Sequence, residues 1–358
     1  MNILDDLAAI KKIDQGHSLT SIRQLADQCE AIWKESKNFE IPENYKDVSF
    51  IIFCGMGGSA YGARIIKSLF VDSLPVPVDL VSDYHLPFSA KNNTLIVAAS
   101  YSGDTEETIT CVEHALKHNL KIVGITTGGK LARLLRQAKK PVLTFTPKFN
   151  PSNQPRLGQG YIEMGEMALL SNLGFLPITD NEITLVIDKL REEKEKLDAN
   201  ISSDKNLAKQ QALVFKDKIV VIIGAEFLEG AIHAIRNPFH ETGKHFADYY
   251  ILPEANHHLM EGLMYPDSNR ENLIFLFINS SLYSDKIKKR MELTKEVVRK
   301  NFLTTTEIDL HAATKLTQVF ELIQLGSFIT FYLAMLHGTD PAKIPWVTYF
   351  KSKLEGEK

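Results

Sequence analysis

The sequence predicts an α/β protein made of two doubly wound parallel sheets in tandem. Short apolar runs bounded by turn residues alternate with helical patterns, the rhythm of strand–helix–strand units whose sheets are covered on both faces. That rhythm breaks near residue 147 and resumes at Lys218. At 358 residues the chain is also too long for one ordinary core, so two units of roughly 150 residues are expected.

In the first half the predicted strands are 48–54, 76–81, 94–99, 121–125 and 141–145. Helical patterns fall at 59–70, 105–117 and 131–138. Ahead of them, Ile22, Leu25, Ala26, Cys29, Ile32 and Trp33 recur at helical spacing within 19–38, with Ser18 or Thr20 as cap. Residues 147–156 hold three prolines and form a break; 158–173 is a helix whose glycines permit close packing. The charge-rich stretch 180–216 reads as a helical connection. In the second half the strands are 219–223, 247–252, 273–278 and 304–310. Helices are expected at 228–235 and 283–301, then a long apolar one at 317–336 and an amphipathic one after Pro341. The expected units are therefore 1–175, a connection over 176–216, and 217–358. Two similar halves suggest duplication, although they share little obvious sequence.

Composition narrows the function. Lys+Arg number 41 against 44 Asp+Glu, a net charge of −3, so nothing draws the chain to nucleic acid or an anionic membrane. The three cysteines, Cys29, Cys54 and Cys111, form no CxxC pair, which argues against a zinc ribbon or redox motif. No tight His/Cys/Asp cluster appears, so neither metal nor cofactor is expected. The N-terminus lacks an apolar signal region, and no apolar run is expected to reach the roughly 20 residues that span a bilayer. The expected location is the cytoplasm.

The chemistry concentrates in three places. Residues 241–262 place Glu241 16 residues ahead of His257-His258, with Lys244, a strand and Pro253-Glu254 between them. A carboxylate and an imidazole are suited to moving protons near neutral pH, and the strand and turn between them are expected to fold both onto one pocket. The other two places are loops that follow the first and third strands and open helices: Gly55-Met-Gly-Gly-Ser-Ala60 and Ser100-Tyr-Ser-Gly-Asp-Thr105. Helix N-termini at the carboxyl ends of parallel strands are anion sites. Gly55, Gly57 and Ala60, with Asp83, also fit a dinucleotide fingerprint. Hydroxyls from two loops instead suit one terminal phosphate.

These paired loops resemble the sugar isomerase (SIS) domain. With Pro-Arg-Leu-Gly-Gln-Gly-Tyr at 155–161 and the 241–258 block, residues 45–354 resemble the bifunctional phosphoglucose/phosphomannose isomerases of the phosphoglucose isomerase superfamily. The resemblance implies two SIS domains in tandem, a sugar-phosphate substrate and a homodimer. It implies a phosphate cradle of Gly58, Ser59, Ser100, Ser102 and Thr105. Arg156 takes the place of the arginine that stabilises the enediolate, and Glu241 that of the base shuttling a proton between C1 and C2. His257 matches the ring-opening histidine, delivered from the partner subunit, and Lys351 a lysine assisting at the ring oxygen. His240 and Thr242 depart from the family, which usually has asparagine on both sides of the glutamate. Pro238 is expected to shorten the leading helix, and His258 adds a second ring beside His257. The family's mannose-associated threonine has no assigned counterpart; Thr339 and Thr348 are the nearby hydroxyls.

These roles also make chemical sense on their own. A cyclic aldose needs a proton at its ring oxygen, a carboxylate to move the C2 proton, and planar cationic donors for the enediolate. Plainer readings are that Arg156 pairs with Glu163 or Glu166 and that Lys351 sits on a solvated helix. Competing functions are a non-catalytic sugar-phosphate sensor, which would need neither Glu241 nor His257, and an isomerase of another phosphosugar or aminosugar phosphate.

Overall fold

The computed structural model describes residues 2–354 and 356. Five strands form the first sheet: β1 (Phe50–Cys54), β2 (Val78–Val81), β3 (Thr94–Ala99), β4 (Lys121–Thr126) and β5 (Val142–Thr144), in the order β2-β1-β3-β4-β5. Four form the second: β6 (Ile219–Ala225), β7 (Ala247–Leu252), β8 (Leu273–Ser280) and β9 (Thr304–Leu310), in the order β7-β6-β8-β9. Every pairing is parallel. The second order repeats the first over four strands, as the duplicated rhythm predicts. β3 is buried along its whole length, which is why it reads as an unbroken apolar run rather than an alternating one.

Three helices precede the first sheet: α1 (Leu7–Ile13), α2 (Ser18–Arg23) and α3 (Leu25–Ser36). The single helix expected over 19–38 is broken at Gln24, which leaves the helical conformation. Neither Ser18 nor Thr20 is its cap. The Asp14 carboxylate accepts from the N–H groups of Ser18 (2.8 Å) and Leu19 (2.9 Å). Within the first half follow α4 (Tyr61–Leu69), α5 (Glu106–Lys117), α6 (Gly129–Gln137) and α7 (Gln159–Asn172).

The charged stretch that reads as a connection is packed structure. It forms α8 (Asp180–Leu197), opened by a Thr179/Glu182 capping box, and α9 (Leu207–Phe215). Ile183, Val186, Leu190, Ala208, Ala212 and Phe215 are all buried. The second half adds α10 (Glu229–Glu241), the single turns α11 (Leu259–Gly262) and α12 (Asn269–Asn272), α13 (Asp285–Lys300), α14 (Lys315–Leu336) and α15 (Pro345–Leu354).

α14 corrects the expectation about apolar length. Its 22 residues are long and apolar enough to cross a membrane, yet 94% of its apolar window is buried inside the protein. A helix that is hydrophobic all round belongs in a core. Phe320, Phe328, Phe331 and Tyr332 are fully buried there, and the Tyr332 hydroxyl donates to the Leu197 carbonyl at 2.6 Å.

Candidate active site

α10 delivers the carboxylate. Pro238 does not shorten it: the helix runs through the proline to Glu241. Only the N–H that proline lacks is lost, and the ring sits in the last turn. The helix then closes on that proline, whose carbonyl accepts from the N–H groups of Thr242 (2.8 Å) and Gly243 (2.9 Å), while His245 N–H donates to Phe239 O (2.8 Å). His240 points elsewhere, its Nε2 lying 2.8 Å from the Ala247 carbonyl, and so ties the helix end to β7. Glu241 is left with its side chain 34% exposed.

Arg156 lies on a 3₁₀ turn, Pro155–Leu157, and its side chain is only 3% exposed. The turn is held from behind by Gln28 of α3, whose Nε2 donates to the carbonyls of Leu157 (2.9 Å) and Phe149 (3.0 Å). Four hydrogen bonds hold the guanidinium. Nε donates to Thr242 Oγ1 (3.3 Å), Nη1 to Gln154 Oε1 (3.0 Å), and Nη2 to the carbonyls of Pro341 (2.7 Å) and Ala342 (2.9 Å). Its ion pair is with Glu241, Nη1 to Oε2 at 3.7 Å. Neither Glu163 nor Glu166 pairs with it. Both are sealed in α7, where burial holds each carboxyl well above the usual range. Burial also lowers the Arg156 guanidinium from its ordinary value, against the pull of Glu241.

The first loop meets the arginine, and the second is tied to the first. A Cβ at Gly58 would stand in van der Waals contact with the Arg156 Cα, 3.6 Å away, so the first loop lies against the arginine turn. Ser59 Oγ accepts from the Tyr101 N–H at 3.0 Å and links the two loops. Ser100 is fully buried; its Oγ accepts from Gly103 N–H (3.1 Å) and shares a hydrogen bond with Thr105 Oγ1 (2.8 Å). Ser102 is exposed and Thr105, at the cap of α5, is half-buried. Ser59, Ser100 and Thr105 thus tie the loops together, and of the four only Ser102, whose Oγ accepts from the Asp104 N–H at 3.3 Å, is an exposed residue. Donors at helix starts, a fixed guanidinium and a solvent-reaching carboxylate together can hold an anion and move a proton beside it.

Residues 204–354 match the family described as the bacterial phospho-glucose isomerase C-terminal SIS domain. Over 343 residues the chain is 29% identical to a Caldicellulosiruptor bescii protein named bifunctional phosphoglucose/phosphomannose isomerase, covering 93% of this chain and 98% of that one. A Thermoplasma acidophilum protein of the same name is 27% identical over 309 residues, covering 86% and 90%. The chain is homologous to the bifunctional phosphoglucose/phosphomannose isomerases. Among solved structures, a hypothetical protein of Thermus thermophilus has the same fold, with a TM-score of 0.75 at 16% identity, covering 97% of this chain and 92% of that one.

Two residues singled out by resemblance to these isomerases stand apart from the pair. Within one chain Glu241 and His257 lie on either side of β7. Glu241 precedes the first residue of β7 and His257 follows its last, on a 3₁₀ turn. The six-residue strand between them in sequence is itself roughly 20 Å long at about 3.3 Å per residue. His257 and His258 are both exposed. Lys351 is exposed on α15, a helix with no buried residue. Neither His257 nor Lys351 pairs with Arg156 or Glu241. Of the two threonines, Thr348 is exposed, whereas Thr339 lines a cleft with Lys244 and Asp340.

Sequence reasoning missed Thr242, Gln154 and the Pro341–Ala342 carbonyls, all of which orient Arg156. Thr242 was visible only as a departure from the family pattern. A cavity of about 700 Å³ lies elsewhere, between α4 and the carboxyl ends of β6 and β8. Its lining Arg64, Lys67 and Lys315 are matched by Asp72, Glu226 and Glu229, and it contains neither Arg156 nor Glu241.

Proposed function

We propose that the protein is a phosphosugar isomerase that interconverts glucose 6-phosphate, and also mannose 6-phosphate, with fructose 6-phosphate. The observation that carries this reading is the Glu241 carboxylate set 3.7 Å from a buried Arg156 guanidinium, beside two hydroxyl-bearing helix starts. The two loops hold the phosphate, Gly58 and Ser59 on the first and Ser100, Ser102 and Thr105 on the second. Glu241 removes the C2 proton of the open-chain aldose and returns it to C1, which makes the ketose. Negative charge gathers on the enediolate oxygens in between, and Arg156, already fixed by Thr242, Gln154 and two carbonyls, meets it without reorganising.

Ring opening falls to His257 of the partner subunit in a homodimer, with Lys351 assisting at the ring oxygen. The placement of His257 supports this: within its own chain it lies beyond the far end of β7 from Glu241. A coupled assay offering the two aldose phosphates separately tests the substrate, and C2 exchange in deuterated water tests the proton transfer. Turnover of neither sugar overturns the reading. Mixing Glu241→Gln with His257→Ala subunits tests sharing, since a mixed dimer holds one intact site. No recovery after verified subunit exchange would place the site within one chain.

A further inference from the structure

Lys244 sits inside the site and has no part in the reaction as described. Its backbone is left-handed, φ +52°, a conformation that non-glycine residues adopt at a cost. The half-buried side chain turns back toward the helix it follows. Nζ donates to the Glu241 carbonyl at 2.5 Å and to the Pro341 carbonyl at 3.0 Å. The same Pro341 carbonyl accepts Arg156 Nη2 at 2.7 Å. One oxygen therefore joins the arginine to the lysine, and the lysine to the main chain of the candidate base.

The end of α10 needs that contact. The last carbonyls of a helix lack intrahelical donors, and a lysine beyond the end is one way to supply them. The turn after α10 closes on Pro238 and Phe239, which leaves the Glu241 carbonyl to the Lys244 ammonium. We propose that Lys244 is a positioning residue for the isomerase reaction: its ammonium clamps the Glu241 end of α10 to the Pro341 loop and so fixes the carboxylate against Arg156. This rests on the isomerase reading above. Burial, and next the Arg156 charge, lower the ammonium to about 8, while Asp340 and Glu241 hold it up. A cation is kept there against its own desolvation, as a clamp requires.

The test compares Lys244→Ala and Lys244→Arg with the wild type in glucose 6-phosphate turnover. A displacement of about 1 Å in a positioned group costs on the order of 10²-fold. Lys244→Ala should therefore lose roughly 10- to 100-fold in kcat with KM changed less than about threefold, because the phosphate loops are untouched. Added ethylammonium should restore turnover saturably, which a general loss of structure would not allow, and Lys244→Arg should keep at least about a tenth of wild-type kcat. A kcat of Lys244→Ala within twofold of wild type, or a loss that ethylammonium leaves unchanged, overturns the proposal. Should Lys244→Ala fail to fold, a folded Lys244→Arg as inactive as a dead enzyme overturns it too. A wild type inactive on every sugar phosphate overturns the isomerase reading itself, and this inference with it.

Discussion

The crevices at the carboxyl ends of the two sheets are built alike and filled differently. After β1 the chain turns through Gly57 at φ +52°, and after β6 through Glu226 at φ +49°. Each turn continues into a 3₁₀ segment and then a helix. In the first crevice, glycines and the hydroxyls of Ser102 and Thr105 leave the helix starts open. In the second, the protein supplies its own anion. The Glu226 carboxylate accepts from the Ser284 hydroxyl (2.5 Å) and N–H (3.2 Å) at the start of α13, and the Ser280 hydroxyl is committed to Gln318 (2.6 Å). A helix N-terminus is satisfied as well by a side-chain carboxylate as by a phosphate. On the proposed reading, the first half keeps its anion site for substrate. The second half gives that role up and contributes α10, whose far end carries the proton-transferring carboxylate.

The division of labour is broken most severely at Glu241. Glu241→Gln keeps shape and hydrogen bonds but removes the base, so kcat should fall by roughly 10²–10⁴ with little change in KM. C2 exchange in deuterated water should vanish with it. Near-normal kcat and exchange would move the base to another carboxylate, with Glu254 the first to examine.

Removing hydroxyls of the first crevice comes next. Each charge-assisted hydrogen bond is worth about 1.5–3 kcal/mol, so Ser102→Ala with Thr105→Ala should raise KM by at least about tenfold. In the second crevice, Ser284→Ala should leave KM within about twofold. Equal effects in steady-state kinetics would erase the contrast between the halves.

A smaller effect is expected from Glu226→Gln, which removes the built-in anion. An anion at a helix start contributes about 0.3–1 kcal/mol, and up to about 2 when partly buried. Denaturant unfolding should detect a loss of that size while turnover stays unchanged. A fall in kcat instead would tie the second crevice to catalysis.

The least effect at neutral pH concerns His233, which lines the second crevice and lies 3.2 Å, through Nδ1, from the Tyr249 hydroxyl. Burial first, then Arg64 and Arg236, lower its imidazole to about 3. The unfolded chain takes up this proton near the ordinary 6.5, the folded one only near 3. The contribution to stability is thus complete above about pH 6.5 and lost as pH falls from there toward about 3. Denaturant midpoints of His233→Gln should change less across that window than those of the wild type. An unchanged slope would show that His233 does not titrate as its surroundings predict.

Read alone, the sequence determined the elements and their class. Residues 94–99, 247–252 and 304–310 are strands to the residue, because segments rich in apolar, aromatic or β-branched residues are a local signal. The hydroxyl loops were legible for the same reason, being short segments tied to a strand end. Local signal failed where packing overrode it. Pro238 reads as a breaker, yet the last turn of a helix tolerates one missing N–H when Pro238 O itself closes the turn. The charged stretch at 180–216 reads as a helical connection, because in α8 the buried positions on one face are outnumbered by exposed ones. Only the tertiary structure decided which acid meets Arg156. Glu163 and Glu166 are nearer in sequence but α7 seals them in the core, whereas α10 returns Glu241 from the far half of the chain. It also decided that Glu241 and His257, 16 residues apart, stand at opposite ends of a strand. An extended segment carries its two flanks apart, and no pattern of residue types records the direction in which the sheet lays it.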